Sequence, residues 1–411
     1  MKLNSEVKMN YCNMCKIYLS SDYTFCPYCG SVLVSYDEND KDYELAKKYF
    51  YGNGVERNYI TAFNYYKKAA NKGLPKAQND VGECYFFGFG VQTNMELAFR
   101  WYLKAAVQGY APSQYNLGYM YHYGEGVEKD LGEAFDWYLK AAEQDYIDAQ
   151  YEIGEAYGYG KGVGANLKKA FSWYMKAARK DHVKAQYAVG EMYLNGEGVE
   201  KNSEKALFWI KKAGKQGFAE AQYWLGNFYY HETDCYDNNF ITAYNWYMKA
   251  ANQDHAKAQY AVGEMCSKGE GVETDLDDAF TWYMQAAKQN HAEAQYKVGE
   301  AYYLGIGVGE NYKKAFTWYM KAAKQNHADA QYEVGYMYFN GVGVKSNLEK
   351  AFTWYMVAAK QNHAGAQYEV GYMYFYGKGV EKSSVKALTW YKKAAKNGNR
   401  EARNFLKTFS K

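Results

Sequence analysis

Proline is almost absent from this chain, with 3 residues in 411. Proline interrupts helices because it lacks an amide hydrogen and its ring clashes with the preceding turn, so its scarcity permits one helix after another. The chain also has no excess of either charge, and its formal net charge is +3. Such a chain has no strong electrostatic attraction for nucleic acid or for an anionic membrane, so we expect neither as a partner.

Long hydrophobic runs are missing as well. No segment contains about 18 consecutive apolar residues, the length that a membrane-spanning helix needs. The first twelve residues, MKLNSEVKMNYC, contain no apolar core of the kind found in signal peptides. We therefore expect no membrane insertion and a cytoplasmic location.

A glycine-rich loop of the form Gly-x-Gly-Val recurs along the chain. It begins at Gly52, Gly88, Gly124, Gly160, Gly196, Gly269, Gly305, Gly341 and Gly377. Successive loops start 36 residues apart, except for one interval of 73 in which residues 231–240 replace the loop. A fixed period of this size predicts stacked repeats, ten in all. A phosphate-binding loop would have to follow a strand, whereas these loops follow helical patterns, so we interpret them as connectors.

Each repeat contains two helical patterns with terminal signals. In the second pattern Ala315, Trp318, Tyr319 and Ala322 share one helix face. The predicted N-cap residues are Asn58, Asn94, Asp130, Asn166, Asn202, Asn239, Asp275, Asn311, Asn347 and Ser383. The residues predicted to close the second helix in a left-handed conformation are Gly73, Gly109, Asp145, Asp181, Gly217, Asp254, Asn290, Asn326, Asn362 and Gly398. A glycine inside each first helix from Gly82 onward predicts close packing against a Trp-Tyr pair, and residues 400–409 predict a capping helix.

Together these elements resemble Sel1-like repeats, which are relatives of tetratricopeptide repeats. The resemblance is carried by AVGEMYLNGEGV (residues 188–199) and KAFTWYMKAA (residues 314–323). It implies an all-α fold over residues 41–411: a right-handed α/α solenoid, or superhelix, of ten 36-residue helical hairpins closed by the capping helix. It also implies a protein-interaction scaffold or adaptor and no enzyme. The regular cysteine pairs of the secreted members are missing here, so their reported enzymatic behaviour is not transferred.

Four cysteines near the N-terminus form two C-x2-C pairs. They are Cys12, Cys15, Cys26 and Cys29. Two such turns supply four thiolates to one tetrahedral ion, and a site without an open position is structural. The segment looks like a zinc ribbon, and we expect it over residues 9–36, holding one structural zinc ion and joined to the repeats by residues 37–40.

The first helices carry variable positions that share one face. Numbered from the helix glycine, positions −2, +1 and +5 fall on that face. By resemblance, the first helices line the concave surface of the solenoid. We expect partner-binding residues at Asp80, Glu83, Tyr119, Glu152, Glu155, Glu191, Trp224, Glu264, Glu300, Tyr336 and Tyr372. Carboxylates among aromatic rings favour a protein or peptide partner, a basic one in particular, and disfavour a phosphate backbone.

Two alternatives stay open at this point. One is a hydrolase acting on cell-wall material, for which Glu152 and Glu155 are the nearest approach to a catalytic pair. The other is nucleic-acid binding through the zinc ribbon, although only Lys8 and Lys16 supply basic charge nearby. The variable face also allows a plainer interpretation, as a solvated surface.

Overall fold

The computed structural model describes residues 9–12, 17–20, 34–36, 40–231 and 237–409. The first three segments are strands: β1 (Met9–Cys12), β2 (Ile17–Ser20) and β3 (Val34–Tyr36). They form an antiparallel sheet in the order β2-β1-β3. Cys12 ends β1, whereas the side chains of all four cysteines of the predicted ribbon lie outside the described residues. The zinc site therefore stays a prediction.

Helices make up most of the described chain. The first helices of the repeats, called A helices, are α1 (Lys41–Tyr51), α3 (Pro75–Phe87), α5 (Ala111–Tyr123), α7 (Ile147–Tyr159), α9 (Val183–Asn195), α11 (Ala219–His231), α13 (Ala256–Lys268), α15 (Ala292–Leu304), α17 (Ala328–Asn340) and α19 (Ala364–Tyr376). The second, called B helices, are α2 (Tyr59–Asn71), α4 (Met95–Ala106), α6 (Leu131–Glu143), α8 (Leu167–Arg179), α10 (Ser203–Lys215), α12 (Asp237–Ala251), α14 (Leu276–Lys288), α16 (Tyr312–Lys324), α18 (Leu348–Lys360) and α20 (Ser384–Lys396). A last helix, α21, spans Arg400–Phe409. Among the described helices, none has the length and apolar character needed to cross a bilayer.

The chain divides into two compact units, Met1–Lys212 and Ala213–Lys411. Within each unit an A helix packs against the B helix of its own repeat, and that B helix packs against the next A helix. In the second unit α21 covers the last repeat, with the rings of Phe405 and Tyr391 4.3 Å apart. The predicted all-α repeat fold and its capping helix are confirmed.

The helix ends follow the predicted signals closely. All ten residues predicted to be left-handed have positive φ, for example Asp145 at 66° and Gly109 at 92°. Asn94 Oδ1 accepts from the amide of Leu97 at 2.8 Å, as an N-cap should. The prediction for Asn239 is wrong, because α12 already begins at Asp237. The sixth repeat lacks the glycine loop that sets the start of the other B helices.

The glycine loop is a connector with two different glycines. Gly124 ends α5 in the left-handed conformation, with φ 77°. Gly126 also has positive φ, 69°, and a Cβ there would collide with the carbonyl of Met95 on the preceding B helix. Only glycine fits where the loop lies this close to the neighbouring backbone.

The glycine inside each A helix from α3 onward makes room for a B-helix side chain. A Cβ at Gly82 would lie 2.6 Å from Cδ1 of Tyr102, and at Gly190 Ile210 replaces the tyrosine. The prediction that a Trp-Tyr pair packs on the glycine is therefore only partly correct. The tyrosine, or Ile210 in its place, contacts the glycine, and the tryptophan does not. In the repeat where Tyr319 contacts Gly299, the preceding residue Trp318 is half-buried, and Lys321 Nζ lies 3.7 Å from the centroid of its ring.

Candidate interaction face

The residues predicted to bind a partner lie on the A helices, and we call them the A-helix face. In the first unit they are Asp80 and Glu83 on α3, Tyr119 on α5, Glu152 and Glu155 on α7, and Glu191 on α9. In the second unit they are Trp224 on α11, Glu264 on α13, Glu300 on α15, Tyr336 on α17 and Tyr372 on α19. Most are half-buried, whereas Glu191 and Tyr336 are exposed. Carboxylates at such depth are partly withdrawn from water, which makes their charge costly.

An amide holds the carboxylate of Glu83. Asn79 Nδ2 donates to Glu83 Oε1 at 2.9 Å. Ser113 Oγ and Asn116 Nδ2, both on α5, donate to Asn79 Oδ1 at 2.9 and 3.0 Å, which fixes the orientation of the amide. Burial raises the pKa of Glu83, and the bond from Asn79 offsets only part of that rise.

Asp80, unlike Glu83, has a lysine whose charge partly compensates its own. Burial, followed by the charge of Glu83, raises the pKa of Asp80 to about 7. The hydroxyl of Tyr43 and the charge of Lys76 act in the opposite direction. Lys76 Nζ lies 4.5 Å from the centroid of the Tyr43 ring. Glu83 has an amide partner, and no lysine or arginine pairs with it in the described part of the chain.

A cleft of about 420 Å³ opens beside Glu83. It is lined by Glu83, Phe86 and Phe87 of α3, Tyr102 of α4, and Tyr115, Asn116 and Tyr119 of α5. The rings of Phe86 and Tyr119 have their centroids 6.1 Å apart, and Phe87 is 60% exposed. Aromatic walls around one or two polar groups are typical of a binding site.

Exposed aromatic side chains end the A helices of the first unit. They are Tyr51, Phe87, Tyr123 and Tyr159, with exposures of 66%, 60%, 59% and 71%. Three of these stand at the predicted position +5, and the equivalent residue of α9 is Asn195. Large exposed rings at equivalent places in successive repeats indicate an interaction surface.

The paired carboxylates of α7 differ from each other. Tyr174 Oη donates to Glu155 Oε1 at 2.6 Å, and Lys161 Nζ lies 3.8 Å from Glu155 Oε2. Glu152 has no hydrogen-bond donor among the described residues, and burial, followed by the charge of Glu155, raises its pKa to about 7. The concavity at the pair holds only about 10 Å³, room for a single water molecule. This geometry gives the hydrolase alternative no support.

The predicted carboxylates Glu264 and Glu300 of the second unit are partly compensated by the chain itself. Glu264 Oε1 accepts from Tyr283 Oη at 2.6 Å, and Lys268 Nζ lies 3.0 Å from Glu264 Oε2. Glu300 pairs with Lys297 at 3.0 Å. Glu264 and Glu300 thus each have a lysine partner, whereas Glu83 and Glu152 form no ion pair with a described lysine or arginine.

The predicted aromatic residues of the second unit lie beside other rings. Trp224 stacks on Phe228, with centroids 5.4 Å apart and planes 13° from parallel. Tyr372 lies 4.7 Å from Tyr376, and Lys378 Nζ is 4.9 Å from the Tyr372 centroid. Internal contacts therefore occupy part of these side chains.

Asn79 and Ser113 are not among the residues predicted from the sequence to form this face. Their signal is departure from the repeat, because the A helices otherwise carry tyrosine where Asn79 stands. Those tyrosines are Tyr43, Tyr115, Tyr151, Tyr187, Tyr223, Tyr260, Tyr296, Tyr332 and Tyr368. Ser113 likewise stands where Ala77, Ala149, Ala185, Ala221, Ala258, Ala294, Ala330 and Ala366 do.

The repeated histidines cap helices. They are His182, His255, His291, His327 and His363. His363 Nδ1 accepts from the amide of Ala366 at 3.0 Å, and its ring lies 4.7 Å from that of Tyr332. All five histidine rings lie beside a tyrosine ring in the same way. In the described ranges, no three His, Cys, Asp or Glu side chains gather as a metal site would need.

Comparison with known proteins divides the chain into the same ten repeats as the helical hairpins do. The Sel1 repeat family matches residues 42–74, 75–110, 111–146, 147–182, 183–218, 219–255, 256–291, 292–327, 328–363 and 364–399. A protective antigen of uropathogenic Escherichia coli strains, which displays an SLR fold, is 34% identical over 89% of this chain and 79% of its own, with a TM-score of 0.74. A Sel1 repeat protein from Oxalobacter formigenes is 32% identical over 75% of this chain and 89% of its own, with a TM-score of 0.55. Among curated proteins no match was found.

Proposed function

This chain belongs to the Sel1 repeat family, and we propose that it acts as a scaffold or adaptor whose A-helix face binds a protein or peptide partner. Proteins of this family are generally interaction scaffolds. The observation that carries the proposal is the coincidence of half-buried carboxylates and exposed aromatic rings on one set of helices. Rings supply contact area at low entropic cost, and carboxylates select the charge of the partner.

The charge on this face favours a basic partner. Glu152 of this face and Glu333, which lies on the A helix α17, each have a pKa raised to about 7, first by burial and then by a neighbouring glutamate. A lysine or arginine from a partner would relieve both effects, whereas a phosphate backbone would be repelled. Binding should therefore weaken as salt concentration rises.

Affinity capture with the full-length chain tests the proposal. The test variant carries Glu152→Lys, Glu155→Lys and Glu191→Lys on α7 and α9. The charge-matched control carries Glu133→Lys, Glu143→Lys and Glu204→Lys, at exposed positions of B helices. We expect the wild type and the control to enrich the same protein from a native lysate, and the test variant to lose it. Capture by all three would place the binding site on another surface.

We further propose that the N-terminal cysteines hold one structural zinc ion. Cys12 is the last residue of β1 and pairs with Ile17, the first residue of β2, with Cys15 between them in the sequence. A C-x2-C pair at a hairpin is a common source of two zinc ligands. Elemental analysis of full-length protein should find about one zinc per chain. Cys26→Ser should lower that content and Cys266→Ala should leave it unchanged, whereas metal-free wild-type protein would contradict the proposal.

A further inference from the structure

We propose that the cleft beside Glu83 is a receptor for one arginine side chain of a partner peptide. The inference rests on the proposed interaction function and adds the kind of residue that this part of the A-helix face recognises.

The cleft lies where one repeat departs from the others. In the next repeat the ring of Tyr115 packs 5.5 Å from that of Tyr138 on the B helix. On α3 the place of that tyrosine is taken by Asn79, so Tyr102, the counterpart of Tyr138, has no such ring beside it. Tyr102 lines the cleft. Asn79 bonds to two residues that line it, Glu83 and Asn116.

The same departure orients the carboxylate. Asn79 is 3% exposed and Ser113 is fully buried, and the two bond to each other across α3 and α5. Because Asn79 Oδ1 is occupied from α5, its amide nitrogen points to Glu83 Oε1. The other oxygen, Glu83 Oε2, accepts no hydrogen bond within the described residues. A carboxylate held in this way, with one free oxygen, is prepared to accept a donor from a ligand.

The walls of the cleft favour arginine over other side chains. A guanidinium is planar, weakly hydrated and able to stack on aromatic faces while it donates to a carboxylate. Phe86, Phe87 and Tyr119 supply such faces, and Glu83 supplies the acceptor. Lysine would bring charge without the plane, and a neutral residue would leave Glu83 without a counter-charge.

Fluorescence anisotropy with the full-length chain tests the assignment. The probe is a capped, fluorescein-labelled peptide, Gly-Ala-Arg-Ala-Gly, compared with peptides that have citrulline or lysine at the centre. We expect arginine to bind at least about tenfold more tightly than citrulline, its neutral analogue, and more tightly than lysine. Glu83→Gln should remove the preference for arginine over citrulline. Glu143→Gln, at an exposed position of the B helix α6, should preserve it.

A second variant tests the bonds that orient the Glu83 carboxylate. Asn79→Tyr with Ser113→Ala restores the pattern of the other repeats, so it should fold and abolish binding of the arginine peptide. Circular dichroism and thermal melting check that each variant is folded. Equal binding of arginine to citrulline or to lysine, an unchanged preference in Glu83→Gln, or no binding of the arginine peptide up to about 5 mM would each overturn the assignment. Because the lysate capture relies on α7 and α9, its success would leave the scaffold proposal standing in that case.

Discussion

Gln108 Nε2 donates to Gln78 Oε1 at 2.7 Å, and Gln78 Nε2 in turn donates to the carbonyl of Ala70 at the end of α2. This chain of bonds ties one hairpin to the last turn of the hairpin before it. The buried glutamines that bond such a carbonyl are Gln78, Gln114, Gln150 and Gln186 in the first unit, and Gln222, Gln259, Gln295, Gln331 and Gln367 in the second. Buried amides that satisfy their neighbours in this way stabilise the contact between successive repeats.

Gln150 lacks the second bond of this arrangement, the one that a following glutamine donates to its side-chain oxygen, and this gives a first prediction. Lys180 stands where Gln108 stands in its own repeat, and Gln150 Oε1 is buried without a partner. Lys180→Gln should restore the missing donor and raise the free energy of unfolding by about 0.5–1.5 kcal/mol. The lost ion pair between Lys180 and Asp145, 2.6 Å long and at the surface, should offset only part of this gain. Urea denaturation measures the change, with Lys201→Gln as the exposed control, and a loss of stability would contradict the prediction.

Two glycines of α7 should respond oppositely to alanine. A Cβ at Gly154 would lie 2.5 Å from Cδ1 of Tyr174, whereas at Gly158 the nearest atom is Tyr174 Oη at 3.7 Å. Gly154→Ala should therefore destabilise by about 1–3 kcal/mol through overpacking. Gly158→Ala should stabilise by about 0.5–1 kcal/mol, because alanine is the better helix former. Thermal melting of the two variants decides the matter, and similar effects would show that the tyrosine contact is unimportant.

Glu152 should make the wild type less stable as pH rises. Its pKa is about 7 in the folded chain against an ordinary value of 4.5, so between these values the folded state retains a proton that the unfolded state has lost. Stability from this residue is therefore complete below pH 4.5 and lost as pH rises to about 7. Glu152→Gln should match the wild type near pH 4.5 and exceed it above pH 7. Urea denaturation across this pH range measures the difference in stability between Glu152→Gln and the wild type, with Glu143→Gln as control. A difference that does not change with pH would contradict the prediction.

His291 should act with the opposite sign. Its Nδ1 accepts from the amide of Ala294 at 3.2 Å, and burial, aided by the charge of Lys257, lowers its pKa below 6.5 despite Glu293. The unfolded chain then binds the proton more readily, so stability is present above pH 6.5 and lost as pH falls. His291→Asn keeps a capping oxygen that does not titrate.

The loss of the ring contact with Tyr260, at 5.0 Å, should make the asparagine variant less stable than the wild type at pH 8. That deficit should shrink as pH falls to 5. Urea denaturation at both pH values, with exposed His231→Asn as the composition control, measures it. A deficit that grows on acidification would show that the capping nitrogen is not what titrates.

Local signals made most of the fold predictable. Helices, loops and left-handed closing residues were placed correctly because each depends on a few neighbouring residues. Asn239 was misplaced because a helix can start earlier when no glycine loop precedes it. The bond from Ser113 to Asn79 joins residues 34 apart, and the sequence shows it only when the repeats are compared with one another.

The residues of the A-helix face could be predicted from the sequence, whereas the extent of their burial could not. Asp80 and Glu152 lie on A helices as expected, yet their half-burial depends on how neighbouring helices stack. The buried glutamines were overlooked because a polar residue beside a core alanine suggests solvent. Their regular recurrence, as in Ala149–Gln150, was the available signal.

The regular spacing of the glutamine bonds bears on how such a gene can change. Gln289 reaches Gln259, and Gln325 reaches Gln295, each across 30 residues, so removing or duplicating one period rejoins equivalent partners. Recombination can thus lengthen or shorten the second unit by whole hairpins without inventing new contacts. The cleft beside Glu83 is inherited differently, since Asn79 and Ser113 belong to successive periods. Only a duplication that carries both would copy it.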